Sequence, residues 1–113
     1  MHELSLVMSI IEIAETETKK NNSTSIEEIE LDIGELSGVE MTAFDFAWSQ
    51  AIKSTLLENA QRKINHIPGE GKCLECDSVF PLHNLYDACP VCNEHFVSIQ
   101  SGKEFRVKSL IVD

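Results

Sequence analysis

The chain has 113 residues and 42% hydrophobic content, which suffices for one ordinary domain or a small domain with an insert. Its net charge is −10, and its lysines and arginines form no cluster that could neutralise phosphates, which argues against nucleic-acid binding. No stretch approaches the roughly 20 apolar residues that span a bilayer, and the N-terminus lacks the basic and apolar regions of a signal peptide. We therefore expect partners that are proteins or cations, and no membrane association.

Residues 3 to about 20 have the periodicity of an amphipathic helix that ends at Asn21-Asn22-Ser23. Lys19 and Lys20 suit the negative end of its dipole. The apolar residues recur at spacings of three and four, with a stripe at Leu4, Val7, Ile11 and Ala14 that is widened by Leu6, Ile10 and Ile13.

The next segment alternates between apolar and acidic residues and stops near Gly34, which predicts a strand with one buried face and one wet, acidic face. The apolar residues are Ile29, Leu31 and Ile33, and the acidic residues are Glu28, Glu30 and Asp32.

Ser37-Gly-Val-Glu40 fits a capping box, in which Ser37 caps a second helix and Glu40 reaches back. We expect this helix to fade near Thr55, and we expect Trp48 with Phe44 and Phe46 to belong to the core. Its apolar residues at helical spacing are Phe44, Ala47, Trp48, Ala51 and Ile52.

Residues 61–67 predict a weaker strand that is closed by Pro68-Gly69, and residues 104–112 predict a last strand rich in β-branched residues. Between them lies a segment with four cysteines and few large aliphatic residues, which we expect to need a metal in order to fold. The predicted fold class is α+β: two helices on a small three-stranded mixed sheet, with an inserted zinc-binding, zinc-ribbon-like module.

Two Cys-x-x-Cys pairs, Cys73/Cys76 and Cys89/Cys92, are separated by twelve residues. Two such turns can face each other around a tetrahedral Zn²⁺ with four sulfur ligands. Disulfides or a redox dithiol fit this spacing less well, whereas iron in the same four-sulfur cage stays an alternative. Free thiols favour the reducing cytosol, so we expect a cytoplasmic protein.

Two histidines accompany the cysteines: His83 lies between the pairs, and His95 follows Cys92 closely. An imidazole could replace a thiolate as the pH changes, with a switch near the ordinary His pKa of about 6.5. The alternative is that His83 and His95 are surface residues, and we favour that interpretation.

Met1-His2-Glu3 is the second candidate metal site. The Met1 amine, the His2 backbone nitrogen and His2 Nδ1 can close adjacent chelate rings, and Glu3 could supply a fourth donor. A planar, nitrogen-rich set selects Ni²⁺ or Cu²⁺ over Zn²⁺. The alternative is a terminal histidine without a role. Glu40 and Asp45 are auxiliary candidates for which a helix cap and a solvated face are the simpler interpretations.

No phosphate loop, nucleophile–base pair or carboxylate dyad stands out, so we predict that the protein is not an enzyme. A zinc-ribbon regulator and a rubredoxin-like electron carrier are the competing functional classes. The absence of a basic patch weighs against the regulator, and a visible thiolate–iron band would support the electron carrier.

Four segments together resemble the HypA/HybF family of hydrogenase nickel-incorporation proteins: MHELSLVMSI, LDIGELSGVE, CLEC…CPVC and SGKEFRVKSLIV. The resemblance implies a nickel metallochaperone that binds Ni²⁺ through His2, the Met1 amine and neighbouring backbone nitrogens. It also implies structural Zn²⁺ at Cys73, Cys76, Cys89 and Cys92. Its implied partners are a HypB-type GTPase and the [NiFe]-hydrogenase large subunit, with urease accessory proteins in some bacteria; a homodimer is left open.

The resemblance divides the chain into a nickel-binding α/β domain, residues 1–68 plus 102–113, and a zinc-binding domain, residues 69–101. Some family members have histidines beside both cysteine pairs. Here His95 stands close to the second pair, but His83 is seven residues past the first pair, which departs from that pattern.

Overall fold

A computed structural model describes residues 2–113 and contains two helices and six strands. The helices are α1 (His2–Lys20) and α2 (Met41–Ala51). The strands are β1 (Ile26–Gly34), β2 (Gln61–Ile67), β3 (Glu70–Cys73), β4 (Val79–Pro81), β5 (Val97–Ser101) and β6 (Phe105–Val112).

The strands form two three-stranded sheets, with the orders β2-β1-β6 and β4-β3-β5. In the second sheet, β3 pairs antiparallel with both β4 and β5. The predicted fold class is confirmed, since two helices and a small mixed three-stranded sheet accompany a four-cysteine module. The strands inside the cysteine segment were not predicted, because they are short and lack a clear alternation.

The chain forms two compact units. The first comprises residues 1–31, 39–64 and 107–113, and the second comprises residues 32–38 and 65–106. The division into a nickel-binding and a zinc-binding domain at residues 68/69 and 101/102 is a functional one and stays a prediction.

Helix α1 buries a narrower stripe than its sequence pattern predicts. Leu4 and Ile13 are exposed, whereas Thr18 is fully buried and donates its hydroxyl hydrogen bond to the Ala14 carbonyl at 2.7 Å. That bond satisfies the buried hydroxyl, which would otherwise lose its hydration without compensation. The buried residues of α1 are Val7, Ile10, Ile11, Ala14 and Thr18.

Helix α2 begins differently from the prediction. Glu40, not Ser37, is the N-cap, and its carboxylate accepts hydrogen bonds from the backbone N–H groups of Thr42 and Ala43 at 3.2 and 2.7 Å. The predicted capping box is therefore wrong. A carboxylate at this end also interacts favourably with the positive end of the helix dipole, which explains why Glu40 can serve as the cap.

The core prediction for α2 is correct for two of its three aromatic residues. Phe44 and Trp48 are buried with ring centroids 6.0 Å apart, and Arg62 lies 5.3 Å from the Trp48 ring centroid. Phe46 is 65% exposed, so its assignment to the core is wrong. The helix ends at Ala51, earlier than the predicted fading near Thr55.

The acidic face of β1 is not uniformly exposed to solvent. Glu30 lies between Lys63 and Lys108, with nitrogen–oxygen distances of 3.8 and 3.7 Å. Asp32 is only 2% exposed and accepts hydrogen bonds from Asn65 Nδ2 at 2.9 Å and Arg106 Nε at 2.8 Å. Partners on the flanking strands thus compensate the negative charge that the sequence pattern assigns to solvent.

Three glycines, Gly34, Gly69 and Gly102, lie where backbone segments of the second unit approach one another closely. A Cβ on Gly34 would overlap the Gly102 carbonyl, and a Cβ on Gly69 would overlap the Leu82 carbonyl. The backbone hydrogen bond from Leu36 to Gly102, at 2.6 Å, depends on this close approach. The close packing therefore requires residues without a side chain at these positions.

We expect Asp32→Ala to lower the free energy of unfolding by about 2 kcal/mol, because it leaves Asn65 and Arg106 without their buried acceptor. The cost stays below that of a fully buried pair because Arg106 is largely exposed and can be hydrated. Urea denaturation of the metal-loaded protein measures it. Glu27→Ala, an exposed change on the same strand, is the control, and equal stabilities of the two variants would contradict the prediction.

Candidate metal centres

The first Cys-x-x-Cys turn is held by reciprocal backbone hydrogen bonds. Cys73 donates its N–H to the Ser78 carbonyl at 2.9 Å, and Asp77 donates its N–H to the Cys73 carbonyl at 2.9 Å. Asp77 adopts a left-handed conformation with φ of 62°. Aspartate tolerates this conformation better than most residues do, so the chain can reverse directly after Cys76.

The second turn repeats this arrangement. Cys89 donates to the Glu94 carbonyl at 2.9 Å, Asn93 donates to the Cys89 carbonyl at 2.8 Å, and Asn93 has φ of 66°. Each turn therefore places an Asp or Asn directly after its second cysteine. We call these two equivalent turns the knuckles, residues 73–78 and 89–94.

The knuckles bring all four sulfurs within 4.8 Å of one another. The Cys73–Cys92 and Cys76–Cys89 sulfur pairs are 3.5 and 3.7 Å apart. A tetrahedral zinc site with metal–sulfur bonds of about 2.3 Å has sulfur–sulfur edges of about 3.8 Å. The four thiols, which are free of disulfides, thus have the spacing that a four-sulfur metal site requires.

The environment of the thiols favours a bound cation. The hydroxyl and backbone of Ser78 lower the pKa of the Cys76 thiol to about 6. A hydrogen bond from the Glu94 backbone lowers the pKa of Cys92, but the neighbouring thiols and burial outweigh it and raise that pKa to about 12. The cluster accommodates one negative charge readily, whereas several thiolates at this separation require a positive ion among them.

The cysteines are also part of the second unit's core. Cys73 and Cys89 are fully buried, while Cys76 is exposed. Because two of the unit's core residues are metal-ligand candidates, the packing of this unit and the geometry of the sulfur cluster are coupled. The buried cluster consists of Leu36, Cys73, Phe80, Leu82 and Cys89.

The two accessory histidines do not belong to this cluster: among residues 2–113, the group able to hold a metal contains the four cysteines alone. His83 Nδ1 lies 2.9 Å from Glu35 Oε2, and Glu35 Oε1 accepts the Gly69 N–H at 2.8 Å. His95 is exposed. An exchange of thiolate for either imidazole is not tested by this arrangement and stays a prediction.

At the N-terminal candidate site, Met1 lies outside the described residues. His2 begins α1 with its side chain 63% exposed, and its Nδ1 lies 3.7 Å from Glu3 Oε2. The same Glu3 oxygen accepts the Glu40 N–H at 3.3 Å. This hydrogen bond is the main cause that lowers the pKa of Glu3, so Glu3 is a carboxylate at neutral pH.

The contacts of Glu3 show how the two helices position His2. Glu3 contacts the start of α2, whereas Glu15, further along α1, accepts the N–H of Leu56 beyond the end of α2. The helices therefore run side by side in the same direction and bring both N-termini together. Glu40 uses its carboxylate as the cap of α2, and Asp45, whose side chain is 52% exposed, forms an ion pair with Arg62 at 2.9 Å.

Sequence reasoning missed the Glu35–Gly69–His83 group and the hydrogen bonds that shape the knuckles. No local pattern could reveal the role of Glu35, because its partners Gly69 and His83 are far from it along the chain. The knuckles did have a readable signal: Asp77 and Asn93 each follow a cysteine pair and favour a left-handed turn.

Comparison with known proteins agrees with this architecture. The model of the HypA family, described as hydrogenase/urease nickel incorporation and metallochaperone, matches residues 1–112. The chain belongs to the HypA family. A hydrogenase maturation factor HypA from Parabacteroides distasonis is 44% identical, with 99% of this chain and 97% of the relative covered. One from Geobacter metallireducens is 38% identical, with both chains fully covered.

Solved HypA structures have the same fold. The solution structure of the Ni metallochaperone HypA from Helicobacter pylori is 32% identical and superimposes with a TM-score of 0.68, covering 97% of this chain and 96% of the other. A second solution structure of HypA has a TM-score of 0.70 at 32% identity, covering 99% of this chain and 96% of the other. The family consists of nickel-incorporation metallochaperones, not enzymes, which confirms the predicted functional class. Within residues 2–113, neither helix is long and apolar enough to cross a bilayer.

We expect the Glu35–His83 contact to depend on pH. The hydrogen bond to Glu35 raises the pKa of His83 above its ordinary value near 6.5. The stabilisation is fully present below the pKa of the unfolded state and is lost as the pH rises through the raised pKa of the folded state. An NMR titration of the His83 ring measures this pKa.

In that titration, Glu35→Gln should lower the His83 pKa towards the ordinary value, while Glu70→Gln, at an exposed position, should leave it unchanged. The same His83 pKa in the wild type and in Glu35→Gln would show that the contact does not form in solution.

Proposed function

We propose that this chain binds Ni²⁺ at its N-terminus and, with a HypB-type GTPase, delivers it to the large subunit of [NiFe]-hydrogenase. The observation that supports this most strongly is the family match over residues 1–112. Urease accessory proteins are a second proposed set of partners, since the family description includes urease. We place this activity in the cytoplasm, where free thiols persist.

The proposed nickel donors are the Met1 amine, the His2 backbone nitrogen and His2 Nδ1. As the first residue of α1, His2 has an N–H without an acceptor in the helix, so its nitrogen can become a ligand without breaking a helical hydrogen bond. The exposed imidazole can rotate towards the amine. Three nitrogens in one plane suit Ni²⁺, and their deprotonation makes binding stronger as the pH rises.

Glu3 is proposed to shape this site. The positive end of α1 repels a cation, and the adjacent carboxylate of Glu3 offsets that repulsion. The Glu40 N–H holds this carboxylate near His2, so the geometry of the nickel site depends on the start of α2. The helix dipole weakens Ni²⁺ binding and the Glu3 carboxylate strengthens it, and the resulting moderate affinity suits a carrier that must release its metal.

The four cysteines are proposed to hold a structural Zn²⁺. The spacing of their sulfurs matches a closed tetrahedral site with no open position for a substrate, which is typical of a structural metal rather than a transferred one. Residues 69–101 then form the zinc-binding domain, and residues 1–68 with 102–113 form the nickel-binding domain. The net charge of −10 attracts divalent cations to the protein as a whole.

Insertion of one alanine before Met1 should weaken Ni²⁺ binding by at least about tenfold, because it moves His2 out of the amine chelate. Calorimetric titration with Ni²⁺ measures the affinity, and hydrogenase maturation gives the functional readout. His66→Ala, at an exposed histidine on β2, should leave both unchanged. Full nickel affinity and maturation in the insertion variant would rule out the N-terminal site.

Cys73→Ala should release zinc and disorder the second unit, because it removes both a ligand and a core residue. Metal analysis and the dispersion of the NMR spectrum measure these effects. Ser78→Ala, which removes the hydroxyl 3.2 Å from the Cys76 sulfur but no ligand, should retain one zinc per chain. One tightly bound zinc per chain in Cys73→Ala would contradict the four-cysteine assignment.

A further inference from the structure

We propose that exposed apolar side chains on and directly after the knuckles form a docking surface for a basic face of a partner protein in nickel delivery. The surface consists of Leu74, Val91 and Phe96, which we call the knuckle patch. The inference rests on the proposed function for the identity of the partner, but it concerns residues that are not proposed as metal ligands.

The knuckle patch is exposed although its members are large and apolar. Leu74, Val91 and Phe96 are 60, 71 and 65% exposed, and none belongs to the buried cluster of the second unit. Single exposed apolar residues are ordinary on protein surfaces, whereas apolar residues gathered together with a polar surround are typical of an interaction site.

The backbone brings these three residues to the same part of the unit. Leu74 donates its N–H to the Phe96 carbonyl at 2.8 Å, so these two residues are neighbours. Leu74 follows Cys73 and Val91 precedes Cys92, and the sulfurs of these two cysteines are 3.5 Å apart. Leu74 and Val91 are therefore each one residue from a cysteine of this sulfur pair, and Phe96 is joined to Leu74 by its backbone hydrogen bond.

The knuckles also fix the backbone of Leu74 and Val91, and the hydrogen bond from Leu74 ties Phe96 to the first knuckle. Both turns are fixed by two backbone hydrogen bonds each, and the sulfur cluster joins one turn to the other. Side chains on a fixed backbone lose less conformational entropy on binding than side chains on a mobile loop. The patch is thus preorganised for association once the metal is bound.

Charge selects the chemistry of the partner. No lysine or arginine occurs among residues 73–102, which contain Glu75, Asp77, Asp87 and Glu94. Four thiolates around one divalent metal add two further negative charges. A second copy of this chain, with its net charge of −10, a nucleic acid or an anionic membrane would each bring like charge to the patch. A partner surface with apolar residues flanked by Lys or Arg complements both the apolar patch and the acidic residues around it.

The test titrates the zinc-loaded chain, by calorimetry, with two purified proteins from the same organism: the GTPase and the immature hydrogenase large subunit. Leu74→Ser/Phe96→Ser should weaken binding to at least one of them by about tenfold or more, the range expected for central apolar contacts. Glu75→Lys/Glu94→Lys should slow association and reduce its dependence on salt.

Phe46→Ser is the matched control, since Phe46 on α2 has the same exposed fraction, 65%, as Phe96. It should bind the same protein with wild-type affinity. Equal losses in Phe46→Ser and Leu74→Ser/Phe96→Ser would overturn the proposal, because the effect would then not belong to the knuckle patch. Unchanged binding in Leu74→Ser/Phe96→Ser, or no binding of either protein by the wild type, would overturn it as well.

Two further measurements separate this inference from the proposed function. Zinc content and Ni²⁺ affinity of Leu74→Ser/Phe96→Ser should equal those of the wild type, so a loss of binding cannot come from a lost metal. Sedimentation of the wild type and of Leu74→Ser/Phe96→Ser measures self-association. If the wild type is a dimer and the variant a monomer, the patch binds a second copy of this chain, and the proposal of a basic partner protein is overturned. Nickel binding that fails while the patch still docks would contradict the proposed nickel site alone.

Discussion

The second unit depends on the meeting of four thiols within 4.8 Å. Its buried cluster has five residues, and two of them, Cys73 and Cys89, are members of the thiol group. So small an apolar core contributes little free energy by itself, whereas a metal bound by four sulfurs contributes roughly 10–16 kcal/mol in small modules. Hydrogen bonds from Ser78 lower the pKa of Cys76, whereas the neighbouring thiols and burial raise the pKa of Cys92, so several thiolates at this separation need a cation among them.

The proposed N-terminal nickel site depends on a different contact, the hydrogen bond from the Glu40 N–H to Glu3. A terminal His-containing segment would ordinarily be mobile, and a chelate formed from it would cost the entropy of ordering the chain. Here α1 extends to His2, and α2 holds the carboxylate beside it. His2 and Glu3, two residues of the proposed nickel site, are therefore supported by a helix pair, while the His2 imidazole stays exposed and accessible to a partner.

Two carboxylates of β1 are paired with basic residues, whereas residues 73–102 contain no lysine or arginine. On β1 the flanking strands neutralise the negative charge: Glu30 contacts Lys63 and Lys108, and Asp32 contacts Arg106. Residues 73–102 contain no lysine or arginine, so the negative field of their carboxylates extends into solvent around the knuckle patch. The same acidic composition thus stabilises the first sheet internally and leaves the cysteine module with a surface that attracts positive charge.

The sequence by itself determined the features that depend on local spacing. Helical periodicity predicted α1, alternation predicted β1, and turn signals and β-branched residues predicted β2 and β6, each to within one or two residues. The Cys-x-x-Cys pairs predicted which sulfurs meet. The tertiary structure decided what depends on distant partners: that Glu40 caps α2, that Asp32 is buried, that Phe46 is exposed, and that Glu35 joins Gly69 to His83. Periodicity reports which face a residue occupies, but only packing fixes which residue of another segment stands opposite it. For a charged or aromatic side chain, that neighbour decides between burial and exposure.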